Sequence, residues 1–158
     1  MLPATIDILT QRSHYHRLLS SLQERSAEEQ KARLRDLYRS DLYALLRYGL
    51  RRSDVDHQWV FERCREVQRS LNGNLDLWAR EHYKSTILTF AGSIFRIIRS
   101  HGEGAPEPRE VTIGIFSHTK PIAKGFLRQI KYELETNEHL QLVFDDIFYA
   151  SPKKDAQK

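Results

Sequence analysis

Cysteine is nearly absent: Cys64 is alone in a sequence of 158 residues, so no intrachain disulfide can staple the fold. A lone thiol predicts a reducing, cytoplasmic setting. Glycine and proline are also sparse, with 7 and 5 residues. Long hydrophobic runs are missing as well. The longest apolar-rich stretch, Ile87 to Ile98, is interrupted by Thr89, Ser93 and Arg96 and falls short of the roughly 20 residues a membrane span requires. The first residues show no basic start followed by an apolar core, so no secretory signal is expected there. What the sequence does have is 40% hydrophobic and 29% charged residues, enough to bury an ordinary core.

The formal net charge of +4 suits contact with an anionic polymer without reaching the density of a basic tail. Much of the positive charge is arginine in the first half: Arg33, Arg35, Arg39, Arg47, Arg51, Arg52, Arg63, Arg65 and Arg69. These alternate with Asp36, Asp41, Glu62 and Glu66, the pattern of a solvated helix face.

Two textures follow one another along the chain. Residues 1–71 repeat apolar positions at three- and four-residue spacing, as in Leu34, Leu37, Tyr38, then Leu42, Leu45, Leu46, then Val60, Phe61, Cys64, Val67. This predicts a helical N-terminal region of three or four helices. Ser26 is placed to cap the helix running toward Arg39, Ser40 and Asp41 to interrupt it, and Gly49 to close the next piece. Asn72-Gly73-Asn74 reads as a turn. Over residues 72–150, Leu75 to Ala79 alternates as a strand does, a helix is predicted over Ile87 to Ile98, Val111 to Phe116 is β-branched like a buried strand, and a helix follows from about Pro121 to Thr136. Strand–loop–helix followed by strand–helix predicts an α/β fold with the start of a parallel sheet. Residues 151–158 are polar and read as a tail or linker.

The chemistry sits between the first expected strand and its helix. Ala79, Arg80, Glu81, His82, Tyr83, Lys84, Ser85 and Thr86 place a lysine and two hydroxyl residues at a helix start. Loop and first-turn amides facing phosphate oxygens, with Lys84 on the β- and γ-phosphates and the Ser85 hydroxyl on magnesium, would form an ATP site. The usual glycines are replaced by Trp78 and Tyr83, and a surface lysine flanking an ordinary helix is the other reading of the same residues.

Three segments resemble large terminase subunits, the DNA-packaging motor ATPases of tailed phages: Asp36 to Tyr38 with Leu45 to Arg51, Leu75 to Thr86, and Ile113 to Thr119 running into Ala123 to Lys131. The resemblance implies a P-loop lacking its usual glycines, with Arg80 acting in cis on the γ-phosphate, four positions before Lys84. It implies ATP and Mg2+ as cofactors. It implies double-stranded DNA, a portal and a small terminase subunit as partners, no membrane, a ring oligomer in the assembled motor, and action in the host cytoplasm during virion assembly. Gln58, Phe61 and Gln68 become candidates for adenine contact, although Phe61 at helical spacing reads first as core.

Such an ATPase needs an acidic pair at a strand end. Asp145 and Asp146 are the candidates, but Leu140, Val143, Phe144, Ile147 and Phe148 around them have the spacing of a short amphipathic helix. On that reading the chain lacks the acidic motif and supports nucleotide binding rather than hydrolysis. The alternative from another class is a non-catalytic helical module that binds DNA or protein, with the arginine-bearing helices on phosphates or on a partner. His14 and His16 form His-x-His, with no further ligand at metal spacing.

Overall fold

Capping chemistry sets most of the helix boundaries in the computed structural model, which describes residues 7–69, 75–79 and 81–148. Helix α1 spans Ile8–Leu22 and α2 spans Ala27–Ser40. Ser26 keeps an extended backbone and its Oγ accepts from the Glu29 amide at 3.3 Å, while Glu28 and Glu29 set negative charge beside the positive helix end. Asp41 then leaves helical geometry. Its Oδ1 accepts from the Ala44 amide at 3.0 Å and starts α3, Leu42–Ala44, which widens into a π-helical turn over Leu45–Gly49. Gly49 allows the close packing at its end, because a Cβ there would lie 3.0 Å from Leu45 Cδ1 and 3.5 Å from Leu140 Cδ2. A 3-10 turn, Ser53–Val55, leads into α4, Gln58–Arg69.

A second π-helical stretch, Ser85–Ala91, continues directly into α5, Gly92–Ser100. Helix α6 covers Lys120–Thr136, with Pro121 in the first turn where its missing N–H is not needed. Asn137 Oδ1 accepts from the Leu140 amide at 3.0 Å and caps α7, Glu138–Val143.

One buried cluster draws side chains from Ile8 through Phe148. The rod formed by Ser85–Ala91 and α5 contributes Ile87, Ile94, Phe95 and Ile98, and the α3 region contributes Leu42, Tyr43, Leu45 and Leu46. Tyr43 meets the Phe61 ring edge-on at 5.2 Å and stacks on Tyr15 at 6.0 Å. Burying each such side chain stabilises the fold by about 1.5–3 kcal/mol. Helix α7 closes onto α2 through Phe144, whose ring lies under the Arg35 and Arg39 guanidinium groups at 5.6 and 5.3 Å.

No strand occurs among the described residues, so the expected α/β sheet is replaced by a helical domain. Leu75–Ala79 and Val111–Phe116 carry neither helix nor strand, and none of their backbone groups hydrogen-bonds to another described residue. Their period-two patterning has a simpler cause. In the first segment Asp76 and Trp78 are half-buried while Leu75 and Leu77 face solvent; in the second Val111, Ile113 and Ile115 are half-buried and Thr112, Gly114 and Phe116 are exposed. Alternation reports an extended chain lying on a surface and is silent on whether a neighbour completes a ladder. The expected turn at residues 72–74 and the tail at 151–158 lie outside the described residues. No described helix is long and apolar enough to cross a membrane.

Candidate functional site

Lys84 immediately precedes the π-helical stretch Ser85–Ala91, with its side chain exposed. The turn leading to it is made without glycine. Glu81 and Tyr83 adopt φ of 65° and 57°, a left-handed geometry that costs a side-chain-bearing residue about 1–3 kcal/mol. Tyr83 is held there by its hydroxyl, which donates to the Asp54 carbonyl at 2.9 Å, and its carbonyl accepts from the Ile87 amide at 2.8 Å. Trp78, Ala79, Glu81, Tyr83, Lys84 and Ser85 surround an open depression of about 310 Å³. Trp59 faces the Trp78 and His82 rings at 6.2 and 5.9 Å. Thr86 is half-buried in the first turn. Arg80 lies outside the described residues.

Asp145 and Asp146 follow α7 in a turn, and neither lines that depression. Both are engaged by α2. Lys31 Nζ donates to Asp145 Oδ2 at 2.6 Å, Arg35 Nη2 to Asp145 Oδ1 at 3.1 Å, and Arg35 Nη2 also pairs closely with Asp146. Asp146 Oδ2 accepts from the Glu103 amide at 2.6 Å, tying the loop after α5 to the same cluster. The Lys31 ammonium beside Asp145 holds its carboxyl below the usual carboxylate range. The two carboxylates therefore join α2, α7 and the 101–109 loop, and the structure does not bring them to Lys84.

The residues considered for adenine contact carry structural bonds. Phe61 is buried; Gln58 Oε1 accepts from the Ile8 amide at 2.7 Å; Gln68 accepts from the Leu42 amide at 2.8 Å and donates to the Ser40 carbonyl at 2.5 Å. His118 is exposed in the turn before α6. Among the described residues no His, Cys, Asp or Glu cluster is arranged to hold a metal ion, His14 and His16 included.

Several arginines of the first half point inward. Arg39 is buried and donates to the Ile98, Glu103 and His101 carbonyls at 2.7, 2.7 and 2.9 Å, capping the negative end of α5. Arg65 donates to buried Asp41 at 2.8 Å and to the Tyr15 hydroxyl at 3.0 Å, while Tyr15 itself donates to Asp41. Burial of Tyr15, together with the neighbouring Asp41 charge, pushes its phenol far above its usual value. Arg99 pairs with Glu107 and donates to the Arg39 carbonyl at 2.6 Å. Interleaved charges had marked a solvated face; much of this charge instead forms interhelical contacts. The signal was available, since Lys31, Arg35 and Arg39 recur every four residues and Asp145-Asp146 supplies the opposite charge.

What remains open lies elsewhere. Among the described residues, six of the nine exposed large hydrophobic residues fall on the two extended segments and α6: Leu75, Leu77, Phe116, Ile122, Leu127 and Tyr132. Phe116 is 94% exposed, the highest exposure among these residues. Helix α6 packs on Ser85–Ala91 and among its residues only Ile130 is fully buried. Lys120, Lys124, Arg128 and Lys131 form a solvent-facing stripe along it, and residues 120–131 contain no acid.

These features define a helical domain carrying two unpaired extended segments and an exposed amphipathic helix. No family model, curated protein or solved structure matches the chain. The resemblance to large terminase subunits is accordingly not upheld: the described residues form no sheet, and the segments that carried the likeness lie on helices or on isolated extended chain. The expectations of a P-loop ATPase, of ATP and Mg2+, and of a genome-packaging role fall for the same reason. A phosphate cradle requires a strand to fix the loop and glycine to let backbone amides approach, and here the turn is built on Glu81 and Tyr83 with aromatic walls.

Proposed function

We propose that the chain is a non-catalytic helical binding module whose partner is a protein. One observation carries this reading: exposed apolar side chains concentrate on Leu75–Ala79, Val111–Phe116 and α6. Apolar surface left in water is weakly favourable to cover at any one residue, but at about 25 cal/mol per Å² several such side chains covered by one partner would support association. The internal engagement of Arg35, Arg39, Arg65 and Arg99 weighs against the alternative in which the N-terminal helices grip DNA phosphates. The turn at Glu81 to Lys84 then serves to present the start of the Ser85–Ala91 helix, and Asp145 with Asp146 serves to lock α7 onto α2.

Site-specific photo-cross-linking tests the reading. A cross-linking amino acid is placed at Phe116 or Leu127, with Glu29 on α2 as the control surface, and the binding of duplex DNA is titrated across rising salt in parallel. A defined protein adduct from the first two positions and none from Glu29 supports the module. Equal or absent adducts at all three, with DNA retention that weakens steeply with salt, would refute it in favour of phosphate contact.

A further inference from the structure

Val111–Phe116 is more than an apolar segment, because its burial alternates as a strand's does and its backbone is unpaired among the described residues. Six consecutive residues carry no helix, turn or bend, their burial alternates as that of an extended chain does, and none of their amides or carbonyls bonds to another described residue. Val111, Ile113 and Ile115 are half-buried, Ile115 against the core, which leaves Thr112, Gly114 and Phe116 on the outward face. Gly114 leaves bare backbone on that face, and the Phe116 ring folds across it: a Cβ at Gly114 would lie 2.9 Å from Phe116 Cε2. Natural edge strands are normally blunted by charge, proline or a bulge. From Val111 to Thr119 there is neither a proline nor an Asp, Glu, Lys or Arg.

Resting on the protein-binding reading above, we infer that Val111–Phe116 is a docking strand that accepts an extended, apolar partner segment flanked by acidic residues by β-strand addition. Main-chain hydrogen bonds supply the recognition, as an unpaired amide or carbonyl gains most from a strand at the correct spacing. Charge selects the occupant. The segment runs straight into α6, whose Lys120, Lys124 and Arg128 form no ion pair with a described residue, so acidic flanks are attracted. The same basic stripe disfavours a second copy, which would bring like charge to the same place in a chain of net charge +4.

The pattern of protection identifies strand addition, because alternate amides of a strand point to opposite edges. Residue-resolved hydrogen exchange is measured on the full chain with a synthetic Glu-Val-Thr-Val-Thr-Val-Glu peptide, the same peptide with lysine in place of both glutamates, and one with a central proline. At about ten times its Kd the acidic peptide should slow exchange about tenfold at alternate amides only, either 112, 114 and 116 or 111, 113 and 115. The lysine peptide should bind more weakly and the proline peptide should give no alternating pattern. A Thr112→Pro variant, which removes the 112 N–H at a position whose side chain is exposed, separates the edges: it abolishes protection if the even-numbered edge is used and spares it otherwise. Uniform protection, or none with the acidic peptide, overturns strand addition. If cross-links at Phe116 and Leu127 persist in that case, the face binds protein in another way; if they are absent too, the protein-binding reading fails with it. Self-association of the chain, or stronger binding of the lysine peptide, also overturns the choice of an acidic partner.

Discussion

Replacing Arg39 by methionine should destabilise the protein by at least about 3 kcal/mol, counting three hydrogen bonds at about 1 kcal/mol each, a lower bound because the donor is charged. Methionine keeps a similar apolar stem, so the loss isolates the guanidinium, including its contact with the Phe144 ring at 5.3 Å. Its three acceptors are the Ile98, His101 and Glu103 carbonyls, at 2.7–2.9 Å, and all sit where α5 ends and its dipole is negative. Removing the donor strands carbonyls in a site where Arg39 is only 5% exposed, which sets a floor on the cost. For a chain of this size the melting temperature should fall by at least about 6–12 °C, at about 2–4 °C per kcal/mol. Arg39→Lys, with a point charge in place of the planar fork, should lie between. Urea titration followed by circular dichroism, with thermal melts beside it, gives both numbers. A methionine variant within about 0.5 kcal/mol of the parent would refute the argument, since that is the range of an ordinary surface substitution.

Asp146→Ala should cost about 1–2 kcal/mol and Asp145→Ala less than about 1 kcal/mol, because the first also loses the Glu103 amide bond while the second is a largely exposed ion pair; equal losses in chemical denaturation would contradict the assignment. His139, bonded to the Tyr38 hydroxyl at 2.8 Å, has its pKa lowered from the ordinary 6.5, first by burial and then by Arg51. The folded state therefore resists taking up a proton that the unfolded chain accepts. Stability is full above the ordinary value and declines as pH falls through it toward the folded value, so His139→Gln should flatten the stability profile below the ordinary value of 6.5; an unchanged slope would remove His139 from the account.

Helices were legible in the sequence where the backbone's own chemistry decides them. Ser26 and Asp41 cap as side chains with acceptors in reach of the third amide do, and the apolar period of Ile87 to Ile98 marked a helix whatever packed on it. That no sheet forms among the described residues was not legible, because the patterning of Leu75–Ala79 and Val111–Phe116 fits an extended chain on a half-buried surface, and pairing is decided by what lies alongside. Lys84 followed by two hydroxyls pointed to a helix start. Its chemistry depended on loop geometry, and the positive φ of Glu81 and Tyr83 is not a property that residue types announce. Arg39 was hidden for the opposite reason: an arginine at a helix end normally reaches water, and only the docking of the 101–109 loop and α7 turns this one inward.

The two sets of basic residues then divide the molecule's work. On α2 and α5, arginines face carbonyls and carboxylates, and moving them to a phosphate would first break those bonds and expose the acceptors they satisfy. On α6, Lys120, Lys124 and Arg128 face solvent and lose nothing by meeting an acidic partner. Long-range attraction from such a stripe speeds encounter and fades beyond about 8 Å at physiological salt, so by itself it holds nothing. Retention has to come from short-range contacts, and the neighbouring chain supplies the exposed Phe116 ring and an unpaired run of backbone amides and carbonyls. A partner should therefore show an association rate that falls with salt and a dissociation rate that responds to substitution at Phe116 rather than at Lys124.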